Sequence, residues 1–135
     1  MPRGILMSEF VTDTMGLVLR IERRKLGPVV KSIFESAESG SATINVPAIV
    51  LAEILYLYEK RRISISPDDV ANYFTQHRNY KEYPTSFAVI ESAAQITDVR
   101  ELHNRSIAGT ARLLDLELIT NDPVIQASAF VKTVW

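Results

Sequence analysis

The feature that most constrains this chain is a change of hydrophobic period that repeats along its length. Short β-branched runs alternate with longer stretches whose apolar residues recur at helical spacing. Ser8–Thr12, Ala42–Val46, Glu117–Thr120 and Phe130–Val134 read as strands, with a weaker one at Tyr83–Phe87. Thr14–Lys25, Pro28–Ser39, Pro47–Arg61, Pro67–His77, Ser86–Ile96 and Glu101–Leu114 read as helices, and Pro123–Ala127 as a short one. Pro28 opens its helix and Gly40 closes it, while Ser66-Pro67-Asp68-Asp69 is a cap followed by an acidic first turn. Strands that alternate with helices favour a parallel sheet covered on both faces. The expected fold is therefore α/β, a three-layer α/β/α sandwich around a mainly parallel sheet of four to five strands. No repeat or linker interrupts the 135 residues, so residues 1–135 are expected to form a single domain.

Composition removes several functions. There is no Cys and there are two His, His77 and His103, so thiolate sites and His-rich zinc sites are excluded. A metal would have to be held by oxygen, which points to magnesium or manganese. Net charge is −1, unlike a protein that coats nucleic acid. The apolar run Ile49–Tyr58 is too short to span a membrane and carries Glu53. Residues 1–7 lack the apolar centre of a signal peptide, so cytoplasmic residence is expected. No Gly-rich phosphate loop is present.

In open α/β sheets, ligands gather outside the carboxyl ends of the strands. Asp13 and Asp122 each follow a predicted strand. Each also has a plain structural reading as an N-cap, and for Asp13 the cap outweighs a site role on local sequence alone. At Asp122, capping and metal binding are compatible only if the two carboxylate oxygens divide the tasks. Glu53 is more informative. Its neighbours three and four residues away are Ile49, Val50, Tyr56 and Leu57, so it joins no polar stripe. A carboxylate on such a face needs water at a rim, an arginine partner or a functional cation. Asn104 near a helix start reads first as a cap, and His103 alone as structural or exposed. Ala108-Gly109-Thr110-Ala111 suits close packing on a sheet. The basic clusters Arg23-Arg24-Lys25 and Lys60-Arg61-Arg62 read as helix C-terminal charge, with phosphate binding as the sharper alternative.

Taken in order, Phe10-Val11-Thr12-Asp13-Thr14, then Val46-Pro47-Ala48-Ile49-Val50-Leu51-Ala52-Glu53-Ile54, then Leu102-His103-Asn104-Arg105-Ser106-Ile107-Ala108-Gly109-Thr110-Ala111, then Leu118-Ile119-Thr120-Asn121-Asp122 resemble the PIN domain. Within it they resemble the VapC-like toxins of toxin–antitoxin systems. The resemblance implies a PIN-like sandwich and divalent-metal-dependent hydrolysis of RNA. It implies Asp13 as the central ligand, Glu53 and Asp122 completing the shell, Asn104 as an auxiliary ligand and Thr120 orienting water. It implies Arg105 steadying a carboxylate or phosphate, with a surface ion pair as its plain reading. It further implies a homodimer and an antitoxin partner. The run Leu55-Tyr56-Leu57-Tyr58 reads as a dimer face or, for most of its residues, as core. The sequence departs from the family at Asn104, where an acid is usual. An amide oxygen can bind a hard cation but brings no charge, so a second ion should bind less well. The competing reading is a PIN-fold RNA- or protein-binding module without efficient cleavage. Met15, where haloacid-dehalogenase-like enzymes need a second aspartate, counts against that class.

Overall fold

The structure, a computed structural model, describes residues 8–135, so the reading of residues 1–7 as lacking a leader lies outside the described residues. The chain runs β1 (Ser8–Thr12), α1 (Thr14–Ile21), α2 (Pro28–Glu38), β2 (Ala42–Pro47), α3 (Ala48–Glu59), α4 (Pro67–Gln76), β3 (Tyr80–Tyr83), α5 (Phe87–Ala94), α6 (Leu102–Leu114), β4 (Glu117–Ile119), α7 (Pro123–Gln126) and β5 (Thr133–Val134). The five strands lie in the order β3-β2-β1-β4-β5 and every pairing is parallel. All six positions of β2 are buried, as expected for a strand covered on both faces. With the right-handed crossover that parallel βαβ units take, this strand order assigns α1 to α4 to one face and α5 to α7 to the other. One continuous core joins Val11, Leu17, Phe34, Ile44, Ile54, Ile107 and Leu118.

The third strand sits three residues earlier than predicted, at Tyr80–Tyr83 and not Tyr83–Phe87. Tyr80 pairs with Ile44 and buries its ring against Phe34 and Tyr73. Pro84 follows the strand, and the hydroxyl of Ser86 then caps α5 by accepting from the Val89 N–H. Helix α1 ends at Ile21, short of the predicted Lys25, because Arg23 takes a left-handed backbone conformation (φ 57°). The last strand is only Thr133–Val134.

Helices α5 and α6 cross closely at Gly109. The helix that carries this small-residue segment packs on β1 and β4, as its small residues suggest, and at Gly109 it also meets α5. A Cβ at Gly109 would stand 2.8 Å from the Ala93 Cβ and 2.9 Å from its backbone nitrogen. Backbone cannot give way as a side-chain tip can, so Gly109→Ala is expected to cost about 1–3 kcal/mol in urea unfolding. A neutral or stabilising result would show that the two helices are free to separate.

Among the described residues, no helix is long and apolar enough to cross a membrane. Helix α3 is apolar almost all round, yet only Val50 and Ile54 are buried. Leu55, Tyr56 and Tyr58 are exposed, so the expectation that most of this run is core is corrected. An apolar composition cannot say which faces of a helix the fold covers.

Candidate active site

The order of the strands reverses at β1. The chain moves outward from β1 to β2 and β3, then returns to lay β4 on the other side of β1. A crevice opens at such a switch point, beyond the carboxyl ends of the two strands. Asp13 follows β1 and Asp122 follows β4 by three residues. Helix α3, which follows β2, carries Glu53, and the first turns of α6 carry His103 and Asn104. Helices α3 and α6 also touch each other. As a result, residues from four separate segments line one pocket of about 720 Å³.

Asp13 is the N-cap of α1, as its local sequence suggests, and is also the deepest acid in the pocket. Its Oδ1 accepts the Gly16 N–H at 2.7 Å, and its carboxylate also bonds the Thr120 hydroxyl. Burial pushes its pKa up, the two hydrogen bonds pull it back, and repulsion from Asp122 and Glu53 pushes it up again, to about 6. Gly16 has no room for a side chain: a Cβ would lie 2.8 Å from Thr12 Oγ1 and 3.0 Å from Asp13 Oδ1.

Asp122 divides its oxygens. Oδ1 caps α7 by accepting the N–H groups of Val124 and Ile125, while Oδ2 faces Asn104, which donates its Nδ2 to it at 3.3 Å. Asn104 is not the helix cap that its position suggests. Glu101 caps α6, accepting the N–H groups of His103 and Asn104, and the Asn104 side chain is thereby free to reach the pocket. Thr120 is fully buried and its Oγ1 accepts the Asp122 N–H at 3.1 Å, so one hydroxyl ties both aspartates together.

Glu53 finds partners that the sequence did not indicate. The Thr14 hydroxyl donates to its Oε1, and the His103 Nδ1 lies 3.0 Å from its Oε2. Among the described residues, no arginine pairs with it. His103 is 50 residues away in sequence and Thr14 is 39, so neither contact follows from local spacing. Arg105, expected near a carboxylate or phosphate or in a surface ion pair, instead donates to the Ala93 and Ala94 carbonyls at the end of α5. Beside the acids, the pocket is also lined by the apolar or aromatic Met15, Ile49, Ala52, Tyr56 and Leu57.

No family model matches this sequence, and no curated protein matches it. Solved structures do match the fold. One is the VapBC2 assembly of Rickettsia felis bound to a DNA fragment from its promoter, with 15% identity, 94% of this chain and 98% of that chain covered, and TM-score 0.70. Another is DNA-bound VapBC from Salmonella typhimurium, with 18% identity, 95% and 98% covered, and TM-score 0.69. A toxin–antitoxin complex from Klebsiella pneumoniae matches at TM-score 0.62 and 18% identity, with 93% and 95% covered. This chain has the PIN-like fold.

Within this PIN-like fold, the donor set fits a hard divalent cation in its chemistry. Three carboxylates and two amides, Asn104 and Asn121, line a single pocket, and the buried carboxylate carries a raised pKa partly because the other two acids repel it. It is not a closed cage. Among the described residues, no three His, Asp or Glu side chains are gathered closely enough to hold an ion as they stand. One oxygen each of Asp13 and Asp122 is committed to a helix N-terminus, and both oxygens of Glu53 are hydrogen-bonded.

Proposed function

We propose that this chain is a divalent-metal-dependent ribonuclease and the toxin of a toxin–antitoxin pair. The observation that carries the nuclease reading is the convergence of Asp13, Glu53 and Asp122 on one pocket around a buried carboxylate. Folding like charges together is unfavourable unless a cation neutralises them. Asp13 would be the central ligand of Mg2+ or Mn2+, with Glu53 and Asp122 beside it and the Asn104 amide as an auxiliary donor. Such an ion supplies charge neutralisation at a phosphoryl group and an acidified water. The chain's own groups set the geometry. Thr120 and the Gly16 N–H fix the Asp13 carboxylate, and Thr14 with His103 fixes Glu53. Thr120 would also orient water. The apolar wall from Met15 to Leu57 suits a nucleobase beside the phosphate, which favours a polynucleotide over free phosphate.

The toxin reading draws on the structural likeness to assemblies named as VapBC and as a toxin–antitoxin complex. It brings an antitoxin protein as partner and the cytoplasm as the place of action. The exposed Leu55, Tyr56 and Tyr58 on α3 support a homodimer face.

One observation favours a second reading. Asn104 donates its amide to the Asp122 oxygen that faces the pocket, which satisfies that oxygen without a cation. A PIN-fold module that binds RNA or protein without efficient cleavage follows from it. Titrating magnesium and manganese against RNA cleavage decides between the two. The nuclease reading expects cleavage that requires the ion and stops with EDTA, and no ion-dependent cleavage would reject it. Asn104→Asp replaces a donor by a fourth acid beside Asp122. Manganese affinity, measured by calorimetry, is expected to rise about tenfold, the effect of about 1.4 kcal/mol of added attraction. Unchanged affinity would remove Asn104 from the ligand set.

A further inference from the structure

The cluster Arg23-Arg24-Lys25 plays no part in the acidic pocket. In the fold it meets Arg20 and Lys31 around a depression of about 590 Å³ between the end of α1 and the start of α2. The acids nearby already have partners, Glu38 in Arg20 and Glu22 partly in Arg24, and neither lines the depression. Both oxygens of Glu38 accept from Arg20, and Oε2 also accepts from Tyr73 and Tyr80. Glu22 gives Oε2 to Ser64 and Ile65, and only Oε1 to Arg24. Arg23 lies 3.9 Å from Glu38 and is exposed. Lys25 and Lys31 are exposed and have no side-chain partner among the described residues. Among the described residues, the one acid lining the depression is Glu35. Four exposed cations thus share one concavity in a chain whose net charge is −1. The first turn of α2 carries no acidic residue to offset them.

We propose that this depression binds backbone phosphates of a nucleic acid, at a place separate from the acidic pocket. Guanidinium and ammonium groups around one concavity match the dense charge of phosphodiesters. Among the described residues, Leu26 is its one apolar lining residue, so a protein partner would find little of the apolar anchoring that protein interfaces use. Backbone phosphates need no such anchor. Helix α1 lies between its N-cap Asp13 and Arg23, and its eight residues span about 12 Å. A strand held at the depression therefore lies away from the acids. The proposal goes beyond the nuclease reading and does not depend on it.

The test is fluorescence anisotropy with a labelled 15-nucleotide oligouridine, in EDTA and over a salt series, so that cleavage is not read. Lys25→Ala/Lys31→Ala is the informative variant, because neither side chain holds the fold. It is expected to weaken binding about tenfold at low salt and to flatten the slope of log K against log salt by about 1.4, or ~0.7 for each lost phosphate contact. Lys81→Ala/Lys132→Ala removes the same charge at exposed positions outside both basic clusters and is expected to change the affinity less than about threefold, consistent with loss of long-range attraction alone. Equal losses in the two variants, or none in the first, would overturn the assignment. Inorganic pyrophosphate, titrated by calorimetry, separates the sources of phosphate. The oligouridine is expected to bind at least about tenfold tighter than pyrophosphate, given its additional contacts. Pyrophosphate binding with no RNA binding would also overturn the proposal.

Discussion

Asp13→Asn is expected to abolish ion-dependent RNA cleavage while making the ion-free protein more stable at neutral pH. The loss should reach at least about a thousand-fold, because the substitution removes the central charge of the proposed ligand set; that factor corresponds to about 4 kcal/mol. The gain in stability follows from linkage. Asp13 has a raised folded-state pKa of about 6 against 3.8 for the free side chain, caused first by burial and then by Asp122 and Glu53. A raised pKa contributes stability that is fully present below pH 3.8 and lost as pH rises through 6. At pH 8 the wild type therefore lacks about 3 kcal/mol that protonation would supply. Asn keeps an oxygen for the Gly16 N–H and has no charge to repel. Thermal melts in EDTA should show the wild-type Tm falling from pH 4 to pH 8 by roughly 10 °C, and a much flatter profile for the variant. Saturating manganese at pH 8 should restore about 2–3 kcal/mol to the wild type and little to the variant. Parallel pH profiles would show that the Asp13 carboxylate carries no such strain. Cleavage that survives the substitution would remove Asp13 from the chemistry.

The second large effect is structural and lies far from the pocket. Glu38→Ala is expected to cost about 3–5 kcal/mol, a large share of the stability of a domain this size. Glu38 holds Arg20 through two hydrogen bonds of 2.8 and 2.5 Å and accepts from the Tyr73 and Tyr80 hydroxyls. One carboxylate thus pins α1, α2, α4 and β3. Its removal leaves the Arg20 guanidinium, whose side chain is 9% exposed, without its partner. The same group sets acid stability. Burial disfavours the Glu38 charge, but hydrogen bonds from Arg20, Tyr73 and Tyr80 outweigh it and hold the pKa at about 2. A lowered pKa contributes stability above the ordinary value of 4.5 that is lost as pH falls through 2. Urea unfolding from pH 6 to pH 2 should show the wild type losing about 2–3 kcal/mol from this group, after solvent screening at the outer edge of the pair. Glu38→Gln should start lower and lose less. An Ala variant within about 0.5 kcal/mol of wild type would mean the cluster is not a structural anchor.

The strand–helix alternation was legible in the sequence because side-chain period is a local property. It yielded the parallel sheet, and with Asp13 and Asp122 it located the sheet edge where a site would lie. Glu53 stood out for a similarly local reason, since an acid among Ile49, Val50, Tyr56 and Leu57 needs a partner. The failures share one cause. Whether Asn104 caps its helix depends on Glu101, which competes for the same N–H groups. The place of β3 depends on which tyrosine buries its ring against Phe34. The partners of Glu53 come from the start of α1 and from α6, and the Arg20–Glu38–Tyr80 knot joins three elements.

By itself, then, the sequence determined the kind of layers, the identity of the acids and the absence of thiolate ligands. The tertiary structure decided that the acids share a pocket, that Asn104 turns toward Asp122, and that Lys31 joins the cations at the end of α1. The physical reason is range. Periodicity and capping act within a turn or two of chain, whereas like charges come together only when a strand order reverses and brings distant segments to one edge.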